Sequence, residues 1–442
     1  MQIVSARPAR AKWSVMSLFP FGSPPSFQFA LCTFQFALLI LLSLAAHGTQ
    51  PARAAEPPGK EASAPPVAGR LHSFTPGAVW PDTAGTHINA HGGGILYQDG
   101  TYYWVGEKRG RQQQSLGINV YSSKDLYNWR LEGVALAPVE GDPGHDLARG
   151  CVMERPKILY NERTKQYVMW FHLELRGKGY SAARAAVAVS DKVAGPYKFL
   201  RSFRPNGNMS RDMTLFKDDD GAAYHVFASR DNLDLRICRL TDDYLGPTSE
   251  DRVISGDQRE APAMFKHRGK YYLITSGCSG WLPNAARLYK ADSIRGPWSN
   301  EGNPVRGPNA GTTFGAQSTH VLPVAGRQGA FIFMADRWQG RGNLIDSRYV
   351  WLPVQFQDGR VVIEWMDQWD LGWFDTPRRT DIPVCPNSTA DIPVCPDATA
   401  DSPRSEAPAS ERTSASLAVP TRADLRKRAF PSRSLGTRAR GG

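Results

Sequence analysis

A hairpin pattern that recurs five times between residues 71 and 375 is the strongest constraint on the fold of this 442-residue chain. Each copy has an apolar strand, a polar turn and an aromatic strand, as in GGILYQDGTYYWVGE and PKILYNERTKQYVMWF. The aligned apolar positions, separated by 63, 57, 49 and 57 residues, are Leu96, Leu159, Phe216, Phe265 and Leu322. Short β-rich runs in units of about 57 residues are typical of propeller blades. The sequence therefore predicts an all-β fold, a five-bladed β-propeller over residues 71–375, whereas the alternative, a two-sheet sandwich, gives no reason for five equal hairpins.

The N-terminal segment has the features of an export signal. Residues 1–54 contain four basic residues and no acid, and residues 27–46 form one apolar run. Ala52-Arg53-Ala54 then fits an A-x-A cleavage site. Because about 20 apolar residues can also span a bilayer, an uncleaved membrane anchor is the alternative. In either case we expect the rest of the chain to be secreted or extracytoplasmic.

The C-terminal segment, residues 376–442, differs in composition from the rest of the chain. Its near-duplicate DIPVCPNSTA and DIPVCPDATA precede a stretch rich in Ser, Ala, Pro and Arg. Such a segment has too little apolar area to offset its ordering entropy, so we expect a disordered low-complexity tail.

The formal charge of +11 lies mostly at the two ends of the chain. Residues 1–54 and 376–442 each contribute +4, which leaves +3 for residues 55–375. Because the folded part is close to neutral, nucleic acid is not expected as a partner.

The cysteines do not indicate a metal site or a disulfide framework. The folded part has three, Cys151, Cys238 and Cys278, which cannot all pair with one another and show no metal-ligand spacing. We therefore expect no metal ion and no other cofactor.

One position of the repeat is polar or acidic in four of the five copies. Four or five positions before the aligned apolar residue stand Gly92, Glu154, Asp212, Glu260 and Gln317. The innermost strand of each blade runs along the central channel, so residues at its entry converge on one pocket. Three carboxylates in one pocket raise one another's proton affinity, which keeps one of them protonated to serve as a general acid. Turn chemistry is the alternative explanation, but it does not require the same offset in separate repeats.

Further residues near the hairpin ends have the chemistry of sugar contacts. They are Glu107, Tyr180, Asn232, the segment Ser279-Gly280-Trp281, and Trp338. Carbohydrate sites need aromatic faces for sugar C–H surfaces, and carboxylates or amides for hydroxyl groups. Four other tryptophans lie within predicted strands and are assigned to the core: Trp104, Trp170, Trp351 and Trp365.

Seven segments, in order along the chain, resemble glycoside hydrolase family 43, the five-bladed propeller enzymes that act on plant cell-wall polysaccharides. They are INAHGGGILYQDGTYYWVGE, ERPKILYN, SRDMTLFKDDDGAAYH, EAPAMFK, TSGCSGW, FGAQSTHVL and DSRYVWLPV. Within the family they are most similar to the exo-β-1,3-galactanase branch, galactan 1,3-β-galactosidase.

The resemblance implies an inverting mechanism and assigns roles to the ring residues. Glu260 matches the general acid, and Asp212 matches the residue that tunes and orients the acid. Gly92 stands where the family usually has an Asp as base. Gln317 matches a Gln that is proposed to hold the attacking water in the galactanase branch, although a neutral amide is a very poor base. Glu154 matches a residue that binds the terminal galactose, and it is the alternative base.

The resemblance also concerns residues around this ring. Glu107, Tyr180 and Asn232 are similar to contacts of the sugar in subsite −1. His320 stands where related arabinan-degrading enzymes place a His near a channel metal ion. Without neighbouring oxygen ligands in the sequence, we expect a satisfied buried imidazole there instead.

These observations predict a monomeric exo-glycosidase that releases galactose from β-1,3-galactan of plant-type arabinogalactan. Its partner would be a polysaccharide or oligosaccharide, with membrane contact only if the N-terminal segment is uncleaved. A non-catalytic carbohydrate-binding propeller is the alternative from another class, because the usual base is missing. Within the enzyme class, α-L-arabinofuranosidase or β-xylosidase activity stays open, because the same propeller serves those sugars.

Overall fold

A computed structural model describes residues 69–340 and 342–376 of the chain. The predicted signal or anchor (1–54) and, apart from Thr376, the predicted tail (376–442) lie outside the described residues and stay predictions. The helices of the described residues are short 3₁₀ segments: Arg111–Gln113, Pro205–Gly207, Ala310–Gly315 and Leu371–Asp375. Within this part of the chain, no helix has the length and apolar character needed to cross a membrane.

Four sheets of the structure have four antiparallel strands each. The first contains β1 (His91–Gln98), β2 (Thr101–Arg109), β3 (Ser115–Ser123) and β4 (Arg130–Leu136). The second contains β5 (Val152–Asn161), β6 (Gln166–Glu174), β7 (Arg184–Ser190) and β8 (Lys198–Phe203). The third contains β9 (Met213–Lys217), β10 (Ala223–Ser229), β11 (Asp234–Leu240) and β12 (Pro247–Ser255). The fourth contains β13 (Arg259–His267), β14 (Lys270–Gly277), β15 (Arg287–Ala291) and β16 (Ser299–Gly302).

Two further sheets have three strands each. One is made of β17 (Val305–Arg306), β22 (Arg360–Glu364) and β21 (Gln355–Gln357), with β17 parallel to β22. The other is antiparallel and contains β18 (Gln317–Pro323), β19 (Phe331–Gln339) and β20 (Asn343–Pro353).

The first strands of five sheets form a closed ring. Strand β1 contacts β5, β5 contacts β9, β9 contacts β13, β13 contacts β18, and β18 contacts β1. From each of these inner strands the other strands of the sheet follow outward in chain order. This radial arrangement is that of a β-propeller, and the prediction of an all-β propeller is confirmed.

The predicted count of five blades differs from the structure, which has six sheets. The additional sheet joins the hairpin of β21 and β22 in parallel to the two-residue strand β17, far earlier in the chain. It lies against β20 and sits outside the ring of inner strands described above. Strands of two, three and five residues leave no apolar repeat in the sequence, so counting hairpins does not reveal such a sheet.

Two-residue turns close two of the five predicted hairpins. Asp99 and Gly100 join β1 to β2 with φ angles of 47° and 71°, and Arg268 and Gly269 join β13 to β14 with 48° and 74°. Left-handed φ at both central residues matches the twist of the flanking strands, and glycine adopts it without a Cβ penalty. These turns lie at the far ends of the inner strands, opposite the ends at which the strands begin.

Buried apolar side chains fill the space between neighbouring sheets. Trp104, Trp170 and Trp351 are fully buried, as predicted. Trp365 is different, because it follows the last residue of β22 and is only partly buried. There the Arg337 guanidinium lies 5.2 Å from the centroid of its ring, which is a cation–π contact rather than a core position.

Candidate active site

A pocket of about 210 Å³ lies where the inner strands of the propeller begin. The predicted site residues in its lining are Glu107, Glu154, Tyr180, Asp212, Asn232, Glu260, Gly280, Trp281, Gln317 and Trp338. Ser279 is the exception: its hydroxyl donates to the Leu282 carbonyl and accepts from the Asn284 amide inside its own loop. The five sheets on the ring therefore each contribute a predicted residue to one pocket.

Besides the register shift between Ser318 and His320 in β18, β-bulges at the entries of three other inner strands orient these side chains. The cross-strand register shifts between His91 and Gly94, between Glu154 and Lys157, and between Glu260 and Ala263. Within each bulge one residue has a left-handed φ: Gly92 at 64°, Arg155 at 52° and Ala261 at 54°. A bulge inserts one extra residue into a strand and redirects the neighbouring side chain. The shared offset in the sequence thus reflects a shared backbone irregularity.

Two side-chain amides hold the Glu260 carboxyl group. Asn232 Nδ2 donates to Oε2 at 2.9 Å, and Gln317 Nε2 donates to Oε1 at 3.0 Å. Burial and, second, the Asp212 carboxylate raise the pKa of Glu260 to about 7, although Arg155 opposes the rise. A carboxyl group with this pKa is half protonated near neutral pH, which is the state that a general acid needs.

Arg155 connects Asp212 to the rest of the pocket. Its Nε lies 3.0 Å from Asp212 Oδ2, which also accepts a hydrogen bond from the Ala261 N–H at 3.1 Å. The same guanidinium donates to Gln317 Oε1 and, at 3.0 Å, to the Ser318 carbonyl. Because a guanidinium is a rigid planar donor, these contacts fix the relative positions of side chains from three sheets.

Glu154 accepts hydrogen bonds from residues of its own sheet and of the first sheet. Its Oε1 accepts from the Tyr180 hydroxyl at 2.7 Å and from Arg109 Nη2 at 3.1 Å. Its Oε2 lies 3.0 Å from His172 Nδ1. Burial alone would raise the pKa of Glu154, but His172 and Arg109 hold it well below the usual range. Glu154 is therefore ionised, and its oxygens face several donors.

His172 stands between two carboxylates. Its Nε2 lies 2.9 Å from Glu174 Oε1, on the side away from Glu154. Burial would lower the pKa of His172, but Glu154 and Glu174 raise it to about 9. The ring is thus an imidazolium at neutral pH, and it compensates the buried charge of its neighbours.

Glu154, His172 and Asp212 also form a group that could provide metal ligands, with one atom of each within 4.8 Å of the others. Both carboxylates already face guanidinium groups, Arg109 at Glu154 and Arg155 at Asp212. Because these cations compensate the carboxylates, ion pairing accounts for the group without a metal ion. The expectation that the protein needs no metal stays a prediction.

Glu107 fills the space above Gly92. Its Oε1 accepts from the Arg155 N–H at 2.9 Å, and its Oε2 accepts from Arg109 Nε at 2.8 Å. A Cβ atom on Gly92 would overlap Glu107 Oε1 and lie 3.1 Å from its Cδ. Burial raises the pKa of Glu107, whereas Arg109 lowers it. No side chain fits at position 92 while Glu107 keeps this conformation.

The Gln317 amide has two N–H donors and two carbonyl lone pairs, and three of these four are hydrogen-bonded to other residues. Its Nε2 donates to Glu260 and, at 3.2 Å, to Ser276 Oγ, and its Oε1 accepts from Arg155. One lone pair of Oε1 stays open for a water molecule. The Arg155 contact favours the carbonyl form of the amide, so Gln317 can orient water but accepts a proton poorly.

Residues 91–344, more than half of the chain, match the family model described as glycosyl hydrolases family 43. The chain belongs to this family. The resemblance of the seven sequence segments is thereby confirmed at the family level.

Several solved structures of family 43 are similar to this chain. A β-1,3-galactosidase solved with galactodeoxynojirimycin is 49% identical, with a TM-score of 0.66, over 67% of this chain and 100% of that chain. An exo-β-1,3-galactanase from Phanerochaete chrysosporium, solved as a variant with β-1,3-galactotriose, is 37% identical with a TM-score of 0.63, over 68% of both chains. The exo-β-1,3-galactanase from Clostridium thermocellum is 38% identical with a TM-score of 0.61, over 67% of this chain and 66% of that chain.

A more distant sequence relative is a xylan 1,3-β-xylosidase from Vibrio sp. It is 25% identical over 205 residues. The match covers 43% of this chain and 37% of the relative, so this chain spans little more than a third of that protein.

The basic residues of this family-43 pocket were missed in the sequence. Arg155 directly follows Glu154 in the ERPK segment, and Arg109 stands two positions after Glu107 on the same face of β2. An arginine next to an acid in an otherwise apolar strand is the signal that could have found them, because a buried carboxylate needs a compensating charge.

His320 differs in part from its prediction. Its Nδ1 is buried and has no hydrogen-bond partner in the described part of the chain, so the expected satisfied imidazole is not what the structure has. A Cβ on Gly94 would lie near both this nitrogen and the buried Lys157 side chain. Burial and the Lys157 charge lower the pKa of His320 to about 3, so its ring is neutral.

Proposed function

We propose that this chain is an inverting exo-glycoside hydrolase that releases galactose from the non-reducing end of β-1,3-galactan. The observation that carries the proposal is the Glu260 carboxyl group, which burial and Asp212 keep protonated up to about pH 7. It faces a pocket of about 210 Å³. A pocket that takes one sugar ring suits removal of terminal residues.

The choice of galactose follows the family-43 relatives. Relatives similar at 37–49% identity include a β-1,3-galactosidase and two exo-β-1,3-galactanases. That similarity supports β-1,3-galactan as the substrate, and we propose the galactan of plant-type arabinogalactan as its source. The terminal galactose would bind against Glu154, Glu107 and Tyr180, with Trp281 and Trp338 at the rim.

In the proposed reaction Glu260 donates its proton to the leaving glycosidic oxygen. Asp212 favours the protonated acid through charge repulsion, and Asn232 with Gln317 orients its carboxyl group. Inversion needs a water on the opposite face of the sugar, which places the acid and the group serving the water about 6.5–9.5 Å apart. Gln317 would orient this water through its open lone pair, but its Nε2 lies 3.0 Å from Glu260 Oε1, so the group that takes the water proton has to lie farther from the acid. Glu154 is the alternative residue at the water, although its low pKa makes it a weak base.

Hydrolysis of β-1,3-galactan, followed by NMR of the released sugar, tests the proposal. The wild type should release α-galactose first, because attack with inversion converts a β-linkage into an α-product. Glu260→Gln should lower kcat by about 10³-fold, because proton donation to the leaving group is lost. Release of β-galactose first, or an unchanged rate for the variant, would contradict the mechanism.

A β-xylosidase is the second candidate, favoured by the similarity to the Vibrio xylan 1,3-β-xylosidase. Aryl β-xyloside and aryl α-L-arabinofuranoside, compared with aryl β-galactoside at equal enzyme concentration, separate these activities. A chain that binds galactan but cleaves none of these substrates would instead be a carbohydrate-binding propeller.

We also propose that the enzyme acts as a monomer outside the cytoplasm. The apolar run at residues 27–46 after an acid-free basic start supports this location. Cell fractionation of the full-length chain tests it, and recovery in the cytoplasmic fraction would contradict it.

A further inference from the structure

We infer that His91 is the general base that takes the proton from the attacking water. The inference rests on the proposed function and supplies the one group that this function lacks. It follows from the position of His91, from the hydrogen bond on one side of its ring, and from the state of the other candidate groups.

His91 lies across the pocket from the acid. It begins β1 and lines the pocket, whereas Glu260 lies at the start of β13. On the ring of inner strands β1 contacts β5 and β18, and β13 contacts β9 and β18, so these two strands are not neighbours. An inverting reaction needs its base on the side of the sugar opposite the acid.

One ring nitrogen of His91 is held by the protein and the other is open. Nδ1 lies 2.7 Å from Ser347 Oγ and 3.6 Å from Asp336 Oδ2. A carboxylate at this distance favours a proton on Nδ1, which then donates to Ser347 Oγ and leaves the lone pair on Nε2. No residue in the described ranges hydrogen-bonds to Nε2, and His91 is one of the residues that line the pocket. A lone pair available to the pocket is what a general base requires.

The buried environment of His91 keeps its ring neutral. Burial is the largest influence and lowers the pKa of His91 to about 4. Of the charged groups facing it, Asp336 and Glu154 raise the pKa, and Arg155 and Arg109 lower it. The basicity of Nε2 is then close to that of an ordinary aspartate, whose pKa is about 3.9. His91 therefore matches, one position earlier in the chain, the basicity of the Asp that Gly92 replaces.

The other groups near Gly92 are less suited to accept a proton. Both oxygens of Glu107 accept hydrogen bonds from Arg155 or Arg109, and only 2% of the residue is exposed. Glu154 is stabilised as an anion by its donors. Asp336 is 3% exposed and accepts from the Gly92 N–H. In the described part of the pocket, His91 is the neutral base with an open lone pair.

The step balances as follows. The water oxygen forms a bond to the anomeric carbon while the bond from this carbon to the glycosidic oxygen breaks. One water proton moves to His91 Nε2, and the Glu260 proton moves to the leaving oxygen. The product sugar has inverted configuration, and the enzyme holds an imidazolium and a carboxylate. Transfer of one proton from His91 to solvent and one from solvent to Glu260 restores the starting state.

His91→Ala and His91→Gln, assayed on β-1,3-galactan and on an aryl β-galactoside, test the inference. Both variants should lower kcat by about 10²–10³-fold, with KM changed much less, because the lost group acts on water rather than on the sugar. Sodium azide needs no general base, so it should restore turnover of the aryl substrate by His91→Ala and yield α-galactosyl azide. In the wild type, kcat/KM should fall as the pH drops through about 4, and this limb should disappear in both variants.

Matched controls separate the base from folding and from the proposed function. His72→Ala removes an exposed histidine outside the pocket and should keep wild-type rates. Equal thermal unfolding of His72→Ala and His91→Gln shows that the pocket variant folds. The choice of sugar is judged from wild-type rates across substrates, and the base from the variant-to-wild-type ratio on the best substrate. Retention of activity by His91→Ala within about threefold, or azide rescue of Glu154→Ala in its place, overturns the inference.

Discussion

The side chain of Glu107 occupies the space that a side chain at position 92 would need. The two residues lie in the first hairpin, where His91 and Glu107 are cross-strand partners, and a Cβ at position 92 would overlap Glu107 Oε1. Gly92 also has a left-handed φ of 64°, which side chains of L-residues rarely adopt. Arg109 and Arg155 hold Glu107 in this space. The usual Asp is therefore incompatible with the packing of Glu107.

Gly92→Asp should therefore fail to act as a restored base. The new side chain has to displace Glu107, so we expect at least about a tenfold loss of kcat/KM together with about 2–4 kcal/mol of lost stability. Denaturant unfolding and galactan hydrolysis measure the two effects. Gly100→Asp is the matched control, because Gly100 has a φ of 71° and nothing within 4 Å of its Cβ position. The control should lose only the cost of the left-handed backbone, about 1 kcal/mol. A Gly92→Asp variant that is as stable as the control would refute the packing argument.

The basic limb of the pH profile should report Glu260. Because a general acid must be protonated, kcat/KM should fall as the pH rises through about 7. Asp212→Asn removes the repulsion that is the second-largest cause of the raised pKa, so the limb should move to lower pH, by about one unit. Asp231→Asn, in which the exposed partner of Arg211 is neutralised, should leave the limb in place. A limb that moves to higher pH in Asp212→Asn would mean that Asp212 acts on Glu260 in the opposite sense.

Glu260 should also make the stability of the protein depend on pH. Its pKa is raised from 4.5 to about 7, so the stability it contributes is complete below pH 4.5 and is lost as the pH rises through 7. Glu260→Gln removes this loss, and from pH 5 to pH 8.5 it should gain about 2 kcal/mol relative to the wild type. The unpartnered Asn232 Oδ1 supports this gain, since this amide can turn to accept a hydrogen bond from the new side chain. Urea unfolding at the two pH values gives the comparison.

Glu140→Gln is the control for this measurement. Glu140 forms an exposed ion pair with Arg149, with 67% of its side chain accessible, so neutralising it should change stability equally at both pH values. If the stability of Glu260→Gln relative to the wild type is also equal at both pH values, burial does not destabilise the ionised Glu260 carboxylate.

The parts of the site that repeat could be predicted from the sequence, because they follow one rule. Glu154 and Glu260 stand at the same offset since each lies at a β-bulge that begins an inner strand. Counting positions along the chain therefore predicts both residues. Their acidic character in an apolar context then indicated the general acid.

The parts that depend on contacts between sheets could not be predicted in this way. Arg155 reaches Asp212 and Gln317, which are 57 and 162 positions away in the sequence. The acid next to Arg155 in the sequence indicates a buried charge, but nothing in the local pattern identifies Asp212 and Gln317 as its partners. The sheet of β17, β21 and β22 was missed for a related reason, because its parallel pair joins Val305 to Ile363 without any repeat. Long-range charge pairing and short strands leave almost no periodic signal.

The aromatic rim should control affinity rather than rate. Trp281 is 44% exposed at the mouth of the pocket, and its ring meets that of Trp338 edge to face at 5.7 Å. An exposed indole face beside polar groups is suited to the C–H surface of a sugar ring. Trp281→Ala should raise KM for β-1,3-galactan about tenfold, which corresponds to about 1.4 kcal/mol of binding free energy, with kcat within about threefold. Leu282→Ala is the neighbouring control, because Leu282 is 73% exposed and does not line the pocket, so its KM should stay at the wild-type value. The Trp338 Nε1 donates to the Trp281 backbone carbonyl, so this hydrogen bond remains in the Trp281→Ala variant. A large drop in kcat would therefore contradict a role in affinity alone and show that the indole also positions the reacting sugar.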